Sequence, residues 1–366
     1  MTKGCGINLL IFVLLSLHCN SQCLPAFPYK DGWLGGDNGL SVKLSHNRFL
    51  WIFSDTFIGP VDSKDRSLSV IIANSTAIAS CTDDQLTIQY FWKKDDAGKP
   101  LPIFHSDDKN VKYWPTDIFG YNNNLYVVLH KVGLKEGSDA DDLFNFSLIG
   151  ITLAEIRNYK KTDPNEWEIK YFDWPEIFNP NEWNGATSVD DRYLYAFIGR
   201  QSQKYNLIRL PLERLTFPEH AYEYLSDQQM WSSGPLRKED AHVLIQGTIG
   251  GSVYYHKDIG KWIMVYGPNF LSSEIQLRFS SDISGIWSEP VTLYIPPEQQ
   301  DGHIKNDSTY FCYCAREHYW FYDSDRKEML ITYDCNSSSL EKLISDMNIY
   351  SPRILRINIA KALSNH

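Results

Sequence analysis

Gly35-Gly36-Asp37-Asn38-Gly39-Leu40-Ser41-Val42-Lys43-Leu44-Ser45-His46-Asn47-Arg48-Phe49-Leu50-Trp51-Ile52-Phe53-Ser54-Asp55-Thr56 decides the fold. Leu40, Val42 and Leu44 alternate with Ser41 and Lys43, the period of a half-buried strand. Ser45 to Arg48 supplies a polar turn, and Phe49 to Phe53 is apolar without a break, as a strand buried on both faces would be. The stretch predicts a β-hairpin folded about position 46. Asp37 and Asp55 lie equally far from that centre, so an unbulged pairing sets them side by side at the open end. Directly opposed residues have Cβ atoms roughly 4.5–5.5 Å apart. Two like charges that close repel, so one carboxyl keeps its proton while its neighbour ionises. Acid–base chemistry at a glycosidic bond uses such a pair. Two turn aspartates capping backbone N–H groups would fit the same spacing.

Outward from this hairpin the pattern repeats. Thr116 to Gly120 with Leu125 to His130, Trp183 to Ser188 with Tyr193 to Arg200, Gly250 to Tyr255 with Lys261 to Gly267, and Cys312 to His318 with Met329 to Tyr333 each read as strand, turn, strand. Matching positions Asp117, Asn184, Gly251 and Cys314 are 67, 67 and 63 residues apart; the first gap, from Asp37 to Asp117, is 80 and carries an insertion near Lys93–Lys99. Later strand material follows each hairpin. Even repetition of a small antiparallel sheet predicts an all-β chain, a five-bladed β-propeller of antiparallel four-stranded blades. A helix is expected only over Ser338–Asp346. A last strand over Ser351–Ile359 is expected to close the ring against the first blade.

Composition narrows the function. With 366 residues, a net charge of −10 and no long basic run, the chain argues against a nucleic-acid partner. Lys3 followed by the apolar stretch Ile7–Leu17 reads as a secretory signal over residues 1–22, too short to span a bilayer. The rest, 23–366, reads as one secreted, extracellular domain with no membrane span. In that compartment disulfides form, and Cys335 with Cys312 or Cys314, and Cys23 with Cys81, are the candidate pairs. Asn74, Asn145, Asn306 and Asn336 head N-glycosylation sequons. Aromatic residues make up 14% of the chain, suited to sheet cores and to stacking on sugar rings. No phosphate loop, zinc cluster or Ser-His-Asp set stands out. No cofactor or metal is expected, and no ligand set marks a calcium ion on the propeller axis.

Gly32-Trp33-Leu34-Gly35-Gly36-Asp37 with Leu50-Trp51-Ile52-Phe53-Ser54-Asp55-Thr56-Phe57 resembles the first blade of a secreted five-bladed propeller family similar to bacterial endo-D-arabinanases. Leu210-Pro211-Leu212-Glu213-Arg214-Leu215, Arg316-Glu317-His318, Ile331 to Asn336 and Ser351-Pro352-Arg353 fit the same likeness, which covers nearly all the mature chain. It implies two first-blade aspartates as catalytic groups, matching Asp37 and Asp55. A looser likeness to propeller glycosidases of arabinans and xylans implies one acid at the inner end of each of the first three blades. Asp37, Asp117 and Glu182 hold those places, although Glu182-Trp183-Asn184 departs from the Glu-Gly-Pro context of their general acid.

The expected function is therefore hydrolysis of a poly- or oligosaccharide, arabinan-like or related, by paired carboxylates. Asp117, Glu182, Trp183, Arg200 and His318 are candidate substrate contacts, with Trp114 a second stacking candidate; Arg353 is expected to pair with a buried acid. Against each stands a structural role: turn cap, surface ion pair, core aromatic, satisfied histidine. Two other classes compete. One is a lectin-like propeller that binds carbohydrate without turnover. The other, a nucleotide hydrolase, would need calcium and phosphate-gripping basic residues that the sequence does not display.

Overall fold

The computed structural model describes residues 23–82, 85–135, 145–161, 163–175, 178, 181, 183–200, 204–234, 242–246, 251–268, 274–299 and 307–364, with the side chains of 183–185, 200 and 246 outside the description. The expected signal, 1–22, lies outside it too. The chain is all-β: α-helix is confined, among the described residues, to Leu340–Ser345 and Ala360–Ser364. The first helix falls inside its expected range, its N-terminus capped by the Ser339 side chain. None of these helices is long and apolar enough to cross a membrane.

The opening hairpin forms. Leu40–Ser45 pairs antiparallel with Arg48–Phe53, Leu40 opposite Ile52 through Lys43 opposite Phe49, before an irregularity near the turn. Every residue from Phe49 to Phe53 is buried, and Ser75–Thr82 and Gln85–Phe91 complete a four-stranded sheet. Beyond Leu40 and Phe53 the two arms leave this sheet. Trp33–Gly36 and Thr56–Ile58 pair with each other and with Val70–Ile72 as a separate small sheet. Asp37 and Asp55 sit on the seam between the two ladders. There Ser54 N–H donates to Asp37 C=O at 2.8 Å and Asp37 N–H to Asp55 C=O at 3.4 Å.

Among the described residues four further sheets follow the first. Lys112–Tyr121, Asn124–Leu134, Phe146–Ile156 and Ile169–Asp173 form the second; its turn at Asn122-Asn123 takes positive φ at both residues, as a tight hairpin demands. The third, built on Trp183–Val189, Tyr193–Arg200 and Lys204–Pro211, gains extra strands and reaches six. Ser252–His256, Lys261–Tyr266, Ile275–Ser280 and Val291–Tyr294 form the fourth. The last has three strands among the described residues, Tyr310–Glu317, Glu328–Ser337 and Arg353–Asn358, so the described residues do not form uniform four-stranded blades. The insertion near Lys93 is a small ribbon of Lys93–Lys94 with Pro100–Leu101.

Period-2 alternation gives each sheet two apolar faces, and successive sheets share them. Leu125, Val127 and Leu129 pack with Leu40, Leu50 and Ile52 of the first sheet, while Tyr126 and Val128 face Leu194 and Ala196 of the third. Tyr195 and Phe197 turn the other way, onto Val253 and Met264. Ile263 and Val265 meet Met329 and Ile331. Leu330 and Phe321 then join Phe49, Trp51 and Phe53, returning the last sheet to the first. The final strand, expected to close the ring against the first blade, meets it by packing and not by pairing. Arg353–Asn358 pairs with Glu328–Ser337, and only Ile354 reaches the first sheet's core.

Both candidate disulfides are present, Cys23–Cys81 and Cys312–Cys335, the latter joining directly opposed residues of the last sheet. Cys314 remains a thiol. Asn74 is not a surface sequon. It is fully buried, donating to the carbonyls of Phe104 and Tyr113 and accepting from Phe104 N–H. Asn336 is half-buried in a strand and donates to Tyr313 Oη, so it too is poorly placed for a glycan. Asn145 is half-buried, and Asn306 lies outside the described residues.

Candidate active site

Four strand ends bring polar groups together around the seam. Asp37 Oδ2 accepts a 2.5 Å hydrogen bond from Tyr313 Oη on the last sheet, while its Oδ1 is buried with no hydrogen-bond partner. Asp55 Oδ1 accepts from Trp114 Nε1 of the second sheet at 2.9 Å. Between them Asn38, at φ 51°, reaches in three directions. Its N–H donates to Asp334 Oδ2 at 2.8 Å; its side-chain amide donates to Pro115 C=O at 2.8 Å and Ser54 Oγ at 3.3 Å. Gly35 lets the C-terminal segment close in: at φ 122° its missing Cβ would lie 2.2 Å from the Tyr350 carbonyl oxygen, so no larger residue fits.

The electrostatics follow from burial and crowding. Desolvation lifts Asp55 to about 6, moderated by nearby Lys112 and the Trp114 hydrogen bond. Desolvation lifts Asp334 to about 7. Asp37 is raised well above the usual carboxylate range, first by desolvation and then by Asp334 and Asp55; the Tyr313 hydrogen bond pulls the other way. Groups this close titrate as a coupled set. Burial and crowding thus favour the protonated form at Asp37, beside an Asp55 that titrates at about 6.

Asp117 is buried and fully engaged. Its Oδ2 accepts from Thr187 N–H and Oγ1 at 2.8 and 2.5 Å, and its Oδ1 from Ile118 N–H at 2.8 Å. Arg316 Nη1 stands 3.9 Å away, and Arg316 Nη2 donates to Thr116 C=O. The carboxylate ties the second sheet to the third and the last, leaving little free for a sugar hydroxyl. Burial raises its pKa, and Arg316 opposes the rise.

His318, a candidate substrate contact, is held inside the protein. It is buried, with Nδ1 2.7 Å from Ser41 Oγ, Nε2 2.7 Å from Thr332 Oγ1 and its ring against Trp51. Desolvation holds it well below the usual histidine range, so it is a neutral pin between first and last sheets. Glu182 and the side chains of Trp183 and Arg200 lie outside the described residues. Arg353 Nε approaches Glu298 at 3.3 Å, the acid partner expected for it, although both are partly exposed. Sequence reasoning missed Asp334, Tyr313 and Arg316. The signal was there for Asp334: the one carboxylate inside the largely apolar run Met329–Cys335. The one metal-like cluster among the described residues, Glu298 with Cys312 and Cys335, is no ligand set because both sulfurs are bonded to each other.

A family model described as a domain of unknown function (DUF5005) matches residues 26–359, nearly the whole domain. The chain belongs to that family. No curated protein matches this DUF5005 chain. A crystal structure from Bacteroides ovatus, of a protein provisionally named a hydrolase, superposes with a TM-score of 0.68 at 17% identity, covering 92% of this chain and 89% of that one. Likeness at this identity establishes a shared fold and leaves the chemistry open. An exo-β-1,3-galactanase from Phanerochaete chrysosporium with galactose reaches 0.48 at 11% identity over 90% of this chain and 62% of that one. A GH43_1 enzyme from Xanthomonas citri reaches 0.45 at 13% identity over 88% and 87%. Those two are too distant to bear on this DUF5005 member.

Proposed function

We propose that this DUF5005 chain is a secreted glycoside hydrolase, its five larger sheets the blades of a five-bladed propeller, acting on an arabinan-like or related glycan. One observation carries the reading: Asp37 and Asp55 meet at a single backbone junction, where burial raises both carboxyls and Asp334 and Asp55 crowd Asp37 further. A fold gains nothing by burying repelling carboxyls there; a reaction that needs an acid beside a base does.

In the proposed reaction Asp37 delivers its proton to the glycosidic oxygen as the bond to the anomeric carbon breaks. Asp55 either takes a proton from the attacking water or itself bonds to that carbon before water displaces it. Carboxyl groups about 5–5.5 Å apart give the second course with retention, and roughly 6.5–9.5 Å apart the first with inversion. The Trp114 indole, half-buried and fixed on Asp55, is a surface on which a sugar can stack. Glu182, Trp183 and Arg200, from the third blade, are proposed to extend the substrate groove. Secretion with removal of 1–22, supported by the two disulfides, and glycans at Asn145 and Asn306 complete the proposal.

The test is the secreted protein on arabinan, arabinogalactan, xylan and host-type glycans, with Asp37→Asn and Asp55→Asn as blanks. New reducing ends from the wild type alone, with each variant down about a hundredfold or more, support it. Equal activity in Asp55→Asn removes the pair from the mechanism. Glycan binding without product makes the protein a carbohydrate-binding propeller instead.

A further inference from the structure

Asp334 is the one acid of the cluster that comes from the far end of the chain, 296 residues from Asn38. It is 1% exposed. One oxygen, Oδ2, accepts from Asn38 N–H; the other is buried without a hydrogen-bond partner. Directly across the ladder from Asp334 is Tyr313, whose hydroxyl donates to Asp37 Oδ2. Two opposed residues of the last sheet therefore hold two consecutive residues of the first turn: Tyr313 the Asp37 carboxyl, Asp334 the Asn38 backbone.

We propose that Asp334 is a positioning residue for Asp37, fixing the Asp37–Asn38 turn through the Asn38 N–H and standing beside the Asp37 carboxyl as a third acid. This rests on reading Asp37 as the proton donor, and it gives that donor a reason to keep its proton. The buried oxygen of Asp334 has no donor to neutralise it. Asp37 is faced by Asp55 from its own hairpin, by Tyr313 and Cys314 from one strand of the last sheet, by Asp334 from the next, and by Tyr350 from the segment before the final strand. None of these is cationic. Arg316 and Arg353 act on Asp334 without hydrogen-bonding it, and Lys112 lies on the Asp55 side.

The experiment uses the secreted protein labelled with [¹³C]aspartate at the carboxyl, the Asp37 signal being assigned by its loss in Asp37→Asn. Asp334→Asn keeps an oxygen for Asn38 N–H and removes the charge. Asp37 should then titrate about one pH unit lower or more, the interaction of two charges several ångströms apart at an effective dielectric near 20. An unmoved Asp37 titration in a folded variant overturns the proposal. If Asp334→Asn does not fold, the wild type decides: its Asp37 signal must show a second inflection where Asp334 titrates, and a single-step curve overturns the proposal equally. The readout needs no substrate, so a failed titration and a failed glycan screen are told apart.

Discussion

Replacing Asp55 by Asn tests the site without any sugar. Asp55 is half-buried and carries its carboxyl at about 6 instead of 3.8, because burial strips water from the charge. The folded protein therefore holds that proton more tightly than the unfolded chain. Below both values each state is protonated and the group contributes nothing. As pH rises past 3.8 the unfolded chain ionises first, so stability falls, and the fall is complete once pH exceeds about 6. A rise of roughly two pH units, at about 1.4 kcal/mol each, makes about 3 kcal/mol; residual solvent around a half-buried group trims this to about 1–3 kcal/mol. Asparagine keeps an oxygen for Trp114 Nε1 and carries no charge. Denaturant unfolding of wild type and variant from acid to mildly alkaline pH measures the difference. Asp55→Asn should match the wild type in acid and gain about 1–3 kcal/mol above neutrality, while losing any hydrolysis. A gap that does not change with pH, or a variant that is less stable in alkali, would refute the idea of a desolvated charge held there for chemistry.

Other outcomes follow from the same contacts. Trp114→Phe removes a donor that favours ionised Asp55, so the acid limb of the pH–rate profile should move up by about one unit. Asn74→Ala strips three buried backbone contacts and should cost about 3 kcal/mol or more in denaturant, and intact-glycopeptide mass spectrometry should find Asn74 unmodified. His318→Ala should cost about 2–4 kcal/mol in the same unfolding assay, since it loses two hydrogen bonds and the Trp51 packing, while leaving the Asp37 titration in place. Serines at Cys312 and Cys335 should lower stability by about 2–4 kcal/mol in the same unfolding assay.

Much of the site was legible because it is local. A hairpin's register is arithmetic. Leu40 opposite Ile52 and Asp37 bonded to Asp55 both follow from a turn centred at position 46, and side-chain period 2 marks the strand faces. The repeat of hairpins along the chain located the sheets for the same reason, and neighbouring strands of one sheet made Cys335 with Cys312 or Cys314 candidates, between which direct opposition in the ladder decides for Cys312. What the sequence could not order was everything decided by the return of the last sheet to the first. Whether Asn74 displays a glycan or pins Phe104, whether His318 meets ligand or Ser41, and which acid stands behind Asp37 depend on neighbours up to nearly three hundred residues away. Such neighbours leave no periodicity in the chain, because closing long loops costs entropy that only the packed apolar faces between sheets repay. The hairpin put two acids together; tertiary packing supplied the Asp334, Tyr313 and Trp114 that set them apart.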